Sequence, residues 1–398
     1  MQGGPVRSIS TGLSQKGVRD HNERLLLSLL QRHGPMPGSD LARLAALSPP
    51  TVSSILRRLE AEGILERGDP VRGRVGKPSI PMRLSSDGVF SFGLKIGRRS
   101  ADLVLIDFNG TLRKEWQLTY QVPVVADILT FLEDGVRSIV EDMEPALALR
   151  ICGLGIAAPF EMWNWPDRSA DFAAAAAAWS DLDIKAEAEV RTGLPVFLLN
   201  DATAACHAEQ TYGRGKEFQD YAYFFIGAFI GGGVVLNNSV FEGRQGNAGA
   251  LGSLRSIGPH GESMQLVDMA SIHQLELRLH EVDLDPQQLW LDPESWYSLS
   301  RYVDPWLGQT AQELAKAALS TCSVIDFEAI LIDGAFPASI RSDLVKRVRR
   351  YVMTQDARGL IKPRIESGSI GGKARAIGAA TRPIGAQFMM QASLAMTI

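Results

Sequence analysis

The chain has 398 residues, enough for two or three domains, and its 45% apolar content and formal net charge of −4 fit a globular protein with buried cores. Its three cysteines, Cys152, Cys206 and Cys322, are far apart and form no CxxC pair, which argues against a cysteine zinc cluster and a disulfide framework. No apolar run is long enough to span a bilayer and the start lacks the apolar core of a secretion signal, so we expect a cytoplasmic protein.

The N-terminal region predicts a small helical domain. Residues 1–18 are rich in Gly and Ser and lack periodicity, so we expect a flexible arm there. Apolar residues at three- and four-residue steps predict a helix over 22–33 and two helices around a tight turn within 39–63. We assign residues 19–84 to this domain.

The second helix of that pair has a small, polar outer face. Ser48 is placed as its N-cap, and Pro49 as its first residue, where a missing N–H costs nothing. Five residues are left to face outward: Pro50, Thr51, Ser53, Ser54 and Arg57. With Ser48, they are small or flexible enough to reach base edges and phosphates in a DNA major groove. An ordinary helical hairpin with a solvated face would show the same pattern.

A glycine-rich basic segment follows between two predicted strands. One strand begins at Ile64, and alternating apolar residues over 80–84 predict a returning strand. Arg72, Arg74 and Lys77 lie between them, which suits the wing of a winged helix contacting phosphates or a minor groove. A plain flexible basic linker is the alternative interpretation.

The charge is unevenly distributed along the chain. Residues 1–83 contain 13 Lys and Arg against 7 Asp and Glu, a net of +6, and the remaining residues have a net of −10. A basic head on an acidic body favours nucleic-acid contact through the head alone.

Beyond residue 84 the pattern becomes α/β. Strands are predicted at 89–96, 103–108, 151–157 and 196–199, with a helix over 125–143. Asn109-Gly110 is a typical two-residue hairpin turn. A comparable set of strands begins at Tyr221 around a glycine cluster, so the chain is predicted to be internally duplicated.

A series of short motifs in a fixed order carries a family resemblance. The motifs are GRVGKP, GLKIGRRSADLVLIDFNG, GLGIAAP, LLNDATAA, IGGGVV, EGRQGNAGALGSL and ARAIGAA. Together they resemble the ROK family of repressors and sugar kinases. The resemblance implies an α/β, actin-like ATPase (ribonuclease H-like) body behind the winged helix-turn-helix, with one lobe at 88–201, joined by a C-terminal helix at 384–398, and a second lobe at 202–383.

The resemblance also shows departures in the nucleotide site. Lys95 stands where the family's kinases carry a metal-positioning Asp. The phosphate-binding turn of the kinases is built of small residues, whereas Gly227–Gly231 here contains the bulky Phe229. The glycines at 231–233 are then better explained by a tight strand approach than by nucleotide binding.

The family's sugar and zinc ligands are similarly reduced. Asn200 and Asp201 match the family's Asn-Asp pair, but its AGExGH motif has become AGALGS, with Ser253 in place of the His. That His and a cysteine cluster bind zinc in the family, so no zinc is expected here. The resemblance leaves Asn200, Asp201, Gly155 and Pro159 as candidates for effector contact.

Asp201 has two interpretations. In the family's kinases this position is the base that deprotonates the sugar hydroxyl. It can equally cap the helix predicted after it, over 202–212. A separate aromatic-rich segment at 290–306 could line an apolar ligand site, or serve packing between lobes or subunits.

These features predict a DNA-binding transcriptional regulator of the ROK type, expected to be a repressor of carbohydrate or related catabolic genes. We expect a homodimer or dimer of dimers on a palindromic operator, with a sugar or derivative binding in the cleft between the lobes, and no cofactor, metal or enzymatic activity. The alternatives are a sugar kinase using Asp201 as base, and a regulator whose body only dimerises.

Overall fold

The computed structural model describes residues 15–70, 80–159, 175, 177–258 and 260–390. The chain divides into two compact units. The first contains Met1–Leu199 and Ala379–Ile398, and the second contains Asn200–Gly378.

The first unit begins with a winged helix-turn-helix domain. Its elements are α1 (Gln15–His33), β1 (Met36–Pro37), α2 (Gly38–Leu44), α3 (Pro49–Ala61), β2 (Leu65–Arg67) and β3 (Pro81–Leu84). The three strands form an antiparallel sheet in the order β1-β3-β2. Helix α1 starts at Gln15, inside the predicted arm, because a single glycine, Gly17, does not stop a helix that contains no proline.

Helix α3 follows the sequence prediction closely. Ser48 is its N-cap in extended conformation, φ −66° and ψ 142°, and its Oγ accepts a hydrogen bond from the Thr51 N–H at 3.4 Å. Four apolar side chains of α3 are buried: Val52, Ile55, Leu56 and Leu59. The helix therefore presents one apolar stripe to the domain core, as the spacing predicted.

The rest of the first unit is built on a five-stranded sheet. Its elements are β4 (Phe90–Ile96), β5 (Ser100–Asp107), β6 (Leu112–Thr119), α4 (Val125–Glu141), α5 (Pro145–Ala148), β7 (Ile151–Ala158), α6 (Ile184–Thr192) and β8 (Val196–Asn200). A turn joins β5 and β6 as predicted, but it spans residues 108–111 rather than two residues. Gly110 has φ +81°, which glycine adopts readily, and its N–H donates to the Asp107 carbonyl at 3.0 Å.

The second unit is built on another five-stranded sheet. Its elements are α7 (Asp201–Tyr212), β9 (Tyr221–Ile226), β10 (Ile230–Leu236), β11 (Ser239–Val240), β12 (Arg255–Ile257), β13 (Ser263–Gln265), α8 (Val267–Ala270), α9 (Ile272–His280), α10 (Gln288–Leu291), α11 (Ser295–Ser298), α12 (Ser300–Cys322), β14 (Ala329–Gly334), α13 (Ala338–Thr354), β15 (Arg364–Ser367) and α14 (Ala374–Phe388).

The two large sheets share one plan, which confirms the predicted duplication. Their strand orders are β6-β5-β4-β7-β8 and β11-β10-β9-β14-β15. In each, the first three strands form antiparallel ladders and the fourth pairs in parallel with the first. Each half is therefore the same α/β arrangement of a meander followed by strands reached through helices.

Helix α14 differs from the predicted C-terminal helix at 384–398. It begins at Ala374, because the alanine-rich ARAIGAA segment is itself helical, and it ends at Phe388, with residues 391–398 outside the described part. Its first residues, Ala374–Gly378, belong to the second unit and the remainder to the first.

The aromatic segment at 290–306 is part of the second unit's own core. The rings of Trp296 and Trp306 lie 5.9 Å apart, and each also contacts Phe336. Their indole N–H groups donate to the carbonyls of Leu289 and Ser271, both at 2.9 Å. The predictions of a ligand site or subunit contact are wrong for these two residues, because two indoles with satisfied N–H groups form the centre of a core.

The cysteines are reduced, and Cys206 and Cys322 are buried. Burial raises the pKa of the Cys152 thiol to about 12 and that of Cys322 to about 11, so neither is a thiolate at neutral pH. No helix within the described ranges is both long and apolar enough to cross a membrane.

Candidate DNA-binding surface and ligand site

The outer face of α3 carries the predicted DNA-contacting side chains. All six are exposed: Ser48, Pro50, Thr51, Ser53, Ser54 and Arg57. The hydroxyls of Ser48 and Thr51 lie 2.8 Å apart, and the Arg57 guanidinium donates to the Ser53 hydroxyl at 3.2 Å. The arrangement offers hydroxyl groups and one extended cation on a helix face that the described residues of the domain leave exposed, which is what a major groove accepts.

The predicted wing cations Arg72, Arg74 and Lys77 lie outside the described residues. The strands on either side are present, and their own cations are paired. Arg67 makes two bonds to the Glu60 carboxylate, at 2.7 and 3.1 Å, and Arg83 binds Glu66 at 2.7 Å. These two arginines are therefore engaged within the domain, and a phosphate role for the wing stays a prediction for the loop itself.

Arg150, just before β7, joins the winged helix domain to the adjoining sheet, a contact that sequence reasoning missed. One of its terminal nitrogens donates to the carbonyls of Gly63 and Gly88, both at 3.3 Å. Gly63 follows α3 with φ +72°, and a Cβ there would crowd the Arg150 guanidinium. Local sequence gave no signal for this contact, because donor and acceptor are 87 residues apart.

A second contact ties the same domain to α14. The Met390 N–H, two residues beyond α14, donates to the Ser28 hydroxyl of α1 at 2.9 Å. The winged helix domain is therefore held at the end of α3 by Arg150, and on α1 by Met390.

We expect Arg150→Met to loosen the winged helix domain without unfolding the body. It removes two charge-assisted hydrogen bonds, so local opening should increase roughly 10-fold or more. Hydrogen exchange of peptides covering residues 61–70 measures this directly. Arg137→Met, which removes an exposed arginine paired on α4, is the matched control and should leave those peptides unchanged. Equal exchange in both variants would contradict the anchoring role.

Lys95 occupies the position where the resemblance implied a lost carboxylate. Its ammonium lies 2.8 Å from the Ser100 hydroxyl, 3.0 Å from the Ser100 carbonyl and 2.9 Å from an Asp102 carboxylate oxygen. The side chain is only 6% exposed. Lys95 therefore ties together the end of the β4-β5 hairpin and offers a metal ion no oxygen ligand.

The turn between β9 and β10 is occupied by the protein's own groups. The Phe229 ring packs edge-on against His273, with centroids 5.4 Å apart. The carbonyls of Gly227 and Ala228 accept hydrogen bonds from the N–H groups of Ile272 and His273 in α9, and the Ile230 N–H donates to the Ser271 hydroxyl at 3.0 Å. A phosphate would find fewer free amides here than in a turn of small residues.

The glycines that follow have a packing role. A Cβ at Gly231 would come within 2.7 Å of the Ala202 Cβ, and one at Gly233 within 2.6 Å of the Cys206 Cβ. Helix α7 therefore lies directly on β10, which supports the interpretation of this cluster as a tight strand approach.

Three of the four candidate effector residues already have structural tasks. Asn200, not Asp201, caps α7: its Oδ1 accepts from the N–H groups of Ala202 and Thr203 at 3.0 and 3.2 Å. In the first unit, Gly155 has α14 so close that a Cβ would overlap the Ala379 carbonyl, while Pro159 is half-buried. Asp201 instead forms an ion pair with Arg375 at 3.2 Å.

The predicted cap at Asp201 is therefore wrong. The cap position needs extended backbone, and Asn200 has it, with φ −63° and ψ 140°. Asp201 lies in the first turn, where its charge favours the helix dipole and its carboxylate is free to meet Arg375. Arg375 stands within the ARAIGAA motif, but its partner is 174 residues away, so the pairing had no local signal.

No group of three His, Cys, Asp or Glu side chains suited to a metal occurs among the residues that the structure describes. The segment that replaces the family's zinc cluster forms the β12-β13 hairpin, where the His260 N–H donates to the Glu262 carboxylate at 2.9 Å.

Comparison with known proteins supports the division into a winged helix domain and an α/β body. A model of the ROK family matches residues 91–263, and a model of winged helix-turn-helix DNA-binding domains matches residues 19–66. The chain is 26% identical over 243 residues to the xylose repressor of Bacillus subtilis (strain 168), covering 60% of this chain and 62% of that repressor. It thus spans somewhat less than two thirds of that relative.

Solved structures share the fold. The crystal structure of a ROK family transcriptional regulator, a homologue of the E. coli MLC protein, gives a TM-score of 0.65 at 19% identity, covering 92% of this chain and 96% of that one. A ROK family glucokinase from Streptomyces griseus gives 0.57 at 20% identity, covering 74% and 98%. The chain therefore carries a segment that matches the ROK family, residues 91–263, behind a segment that matches winged helix-turn-helix DNA-binding domains, residues 19–66.

Proposed function

We propose that this protein is a cytoplasmic DNA-binding transcriptional regulator that represses carbohydrate or related catabolic genes. The observation that carries the proposal is the exposed face of α3, from Ser48 to Arg57, on a capped helix whose other face is buried. The basic N-terminal segment and the similarity to xylose repressors support it. The six exposed side chains of this face are of the size and chemistry that can contact base edges and phosphates in a major groove.

The protein binds a palindromic operator as a homodimer or a dimer of dimers. A single recognition helix reads only a few base pairs, so two domains must act together on half-sites about one helical turn, or a multiple of it, apart. Any change in the spacing between the two domains then changes operator affinity.

A small-molecule effector, a sugar or a derivative, controls that spacing. Helix α14 supports this mechanism because its first residues belong to the second unit, and Met390, two residues beyond its end, contacts Ser28 of α1. A ligand that favours one position of the α14 start would shift the DNA-binding domain between two placements.

Footprinting of the full chain on DNA upstream of its own gene and of neighbouring catabolic genes tests the proposal. We expect a protected palindrome whose affinity falls steeply as salt rises. Absence of any protected site would refute DNA regulation.

A thermal-shift screen of sugars and sugar derivatives tests the effector, since a ligand at 100 times its Kd adds about 2.7 kcal/mol to the free energy of unfolding. A flat screen would favour a body that only dimerises.

A sugar kinase is the second candidate, favoured by the fold shared with the glucokinase and by Asp201. Two contacts oppose it: the Asp201 carboxylate is already engaged in an ion pair with Arg375, and Lys95, where the family's kinases carry an Asp, is engaged with Ser100 and Asp102. Sugar-dependent ATP consumption that disappears in Asp201→Ala would establish the kinase and overturn the proposal.

A further inference from the structure

Arg375, the second residue of α14, is a buried cation of the second unit. The residue is 8% exposed. Its Nη1 donates to an Asp201 carboxylate oxygen at 3.2 Å, and its guanidinium lies over the Phe225 ring, 5.1 Å from the centroid. The charge is therefore held in a fixed place by a carboxylate on α7 and an aromatic face on β9.

One donor of this guanidinium has no partner. The Nε–H of Arg375 is buried and makes no hydrogen bond to any described residue. Buried polar atoms are almost always paired, and a charged donor is the most costly to leave unpaired. The unfilled donor is thus an observation that points to a ligand.

The geometry of the guanidinium decides which ligand it suits. Its N–H groups form a planar fork that matches two oxygens of a carboxylate or phosphate. Nη1 is engaged with Asp201, so the edge that includes Nε remains for a second oxyanion. The start of α14, a helix of 15 residues, adds the positive end of its dipole beside the same side chain.

The Asp201 carboxylate restricts which ligands can bind beside Arg375. Its carboxylate is 17% exposed, and it accepts hydrogen bonds but cannot donate them. A bare anion beside it would be repelled, whereas a ligand with a hydroxyl can donate to Asp201 while its anionic group binds Arg375. The Gly227 turn packs against the same guanidinium, since a Cβ there would lie 3.5 Å from Nη1.

We infer that Arg375 makes this protein selective for an acidic sugar derivative, whose carboxylate or phosphate binds the guanidinium while a hydroxyl donates to Asp201. The inference rests on the proposed function, and it narrows the effector to polyhydroxylated anions. Arg375 is then the specificity-determining residue and Asp201 its hydroxyl-binding partner.

Isothermal titration of the full chain with four probes tests this inference: D-glucose, D-glucuronate, D-glucose 6-phosphate and inorganic phosphate. We expect at least one sugar anion to bind 10-fold or more tightly than glucose, and the two sugar anions distinguish a carboxylate from a phosphate. Inorganic phosphate shows how much of the affinity the anion alone supplies.

The variants assign any binding to Arg375. Arg375→Met should weaken binding of the preferred anion about 10- to 100-fold. Arg375→Lys keeps the charge but not the planar fork of N–H groups, so its affinity should lie between those of the unsubstituted protein and Arg375→Met. Arg358→Met is the matched control, because it removes an exposed Arg–Asp pair in the same unit, and should bind like the unsubstituted protein. If Arg375→Met does not fold, the affinity of the Arg375→Lys variant shows whether Arg375 binds the anion.

Three results would overturn the inference: no binding by either sugar anion, glucose binding as tightly as the anions, or unchanged affinity in both Arg375 variants. DNA binding by the unsubstituted protein is measured in parallel. Retained DNA binding with any of these three results would refute the acidic effector alone, whereas absent DNA binding would refute the proposed function.

Discussion

Glutamate in place of Ser54 is expected to weaken operator binding at least about 100-fold while leaving the fold intact. Ser54 is exposed on α3, between the buried Val52 and Ile55, so the new side chain enters no core. On DNA it would bring a negative charge close to the phosphates and base edges. Like charges a few ångströms apart at a protein surface repel by several kcal/mol, which exceeds the 2.7 kcal/mol of a 100-fold loss.

Titration of a labelled operator fragment at constant salt measures this effect, and thermal melting checks the fold. Ser323→Glu is the matched control, because Ser323 is exposed and follows α12 in the second unit. It should bind DNA like the unsubstituted protein. Unchanged operator affinity in Ser54→Glu would show that α3 is not the reading helix.

The DNA-binding domain could be predicted from the sequence because its signals are local. The cap at Ser48, the proline at position 49 and the apolar stripe of α3 all lie within about one dozen residues. Such signals act through hydrogen bonds and burial one or two turns away, and the sequence shows them directly. The hairpin turn at Asn109-Gly110 was predicted for the same reason.

Features that depend on distant partners could not be predicted. Asn200 and Asp201 are both good caps, and two features distinguish their tasks: the extended backbone of Asn200, and the ion pair between Asp201 and Arg375, far along the chain. The sequence allowed the indoles of Trp296 and Trp306 to line a ligand site, whereas in the structure both rings contact Phe336 and both N–H groups donate to backbone carbonyls. Whether such a side chain lies in a core or at a ligand surface depends on elements far away in the sequence, and the local spacing of residues does not show which elements those are.

The close packing of α14 on α7 leads to the other large expected effect. An alanine at Gly378 would place its Cβ on the carbonyl oxygen of Ala204, an atom of a helical backbone that cannot rotate away. The helices must separate around Ala204 and Ala205, both fully buried. Overpacking of this kind costs about 3 kcal/mol, so we expect Gly378→Ala to lower the melting temperature by roughly 5–10 °C.

Gly385→Ala on the same helix separates this clash from the intrinsic effect of removing a glycine. A Cβ at Gly385 meets no atom within 4 Å, and alanine favours a helix by up to about 1 kcal/mol over glycine. The control should therefore melt at the same temperature or slightly higher, under identical calorimetric conditions. If both variants melt alike, the contact between α14 and α7 is looser than the structure indicates. A lower melting temperature for Gly378→Ala together with an equal or higher one for Gly385→Ala would show that the Ala204 carbonyl requires glycine at position 378. The contact between α14 and α7 would then fix the start of α14, where Arg375 lies.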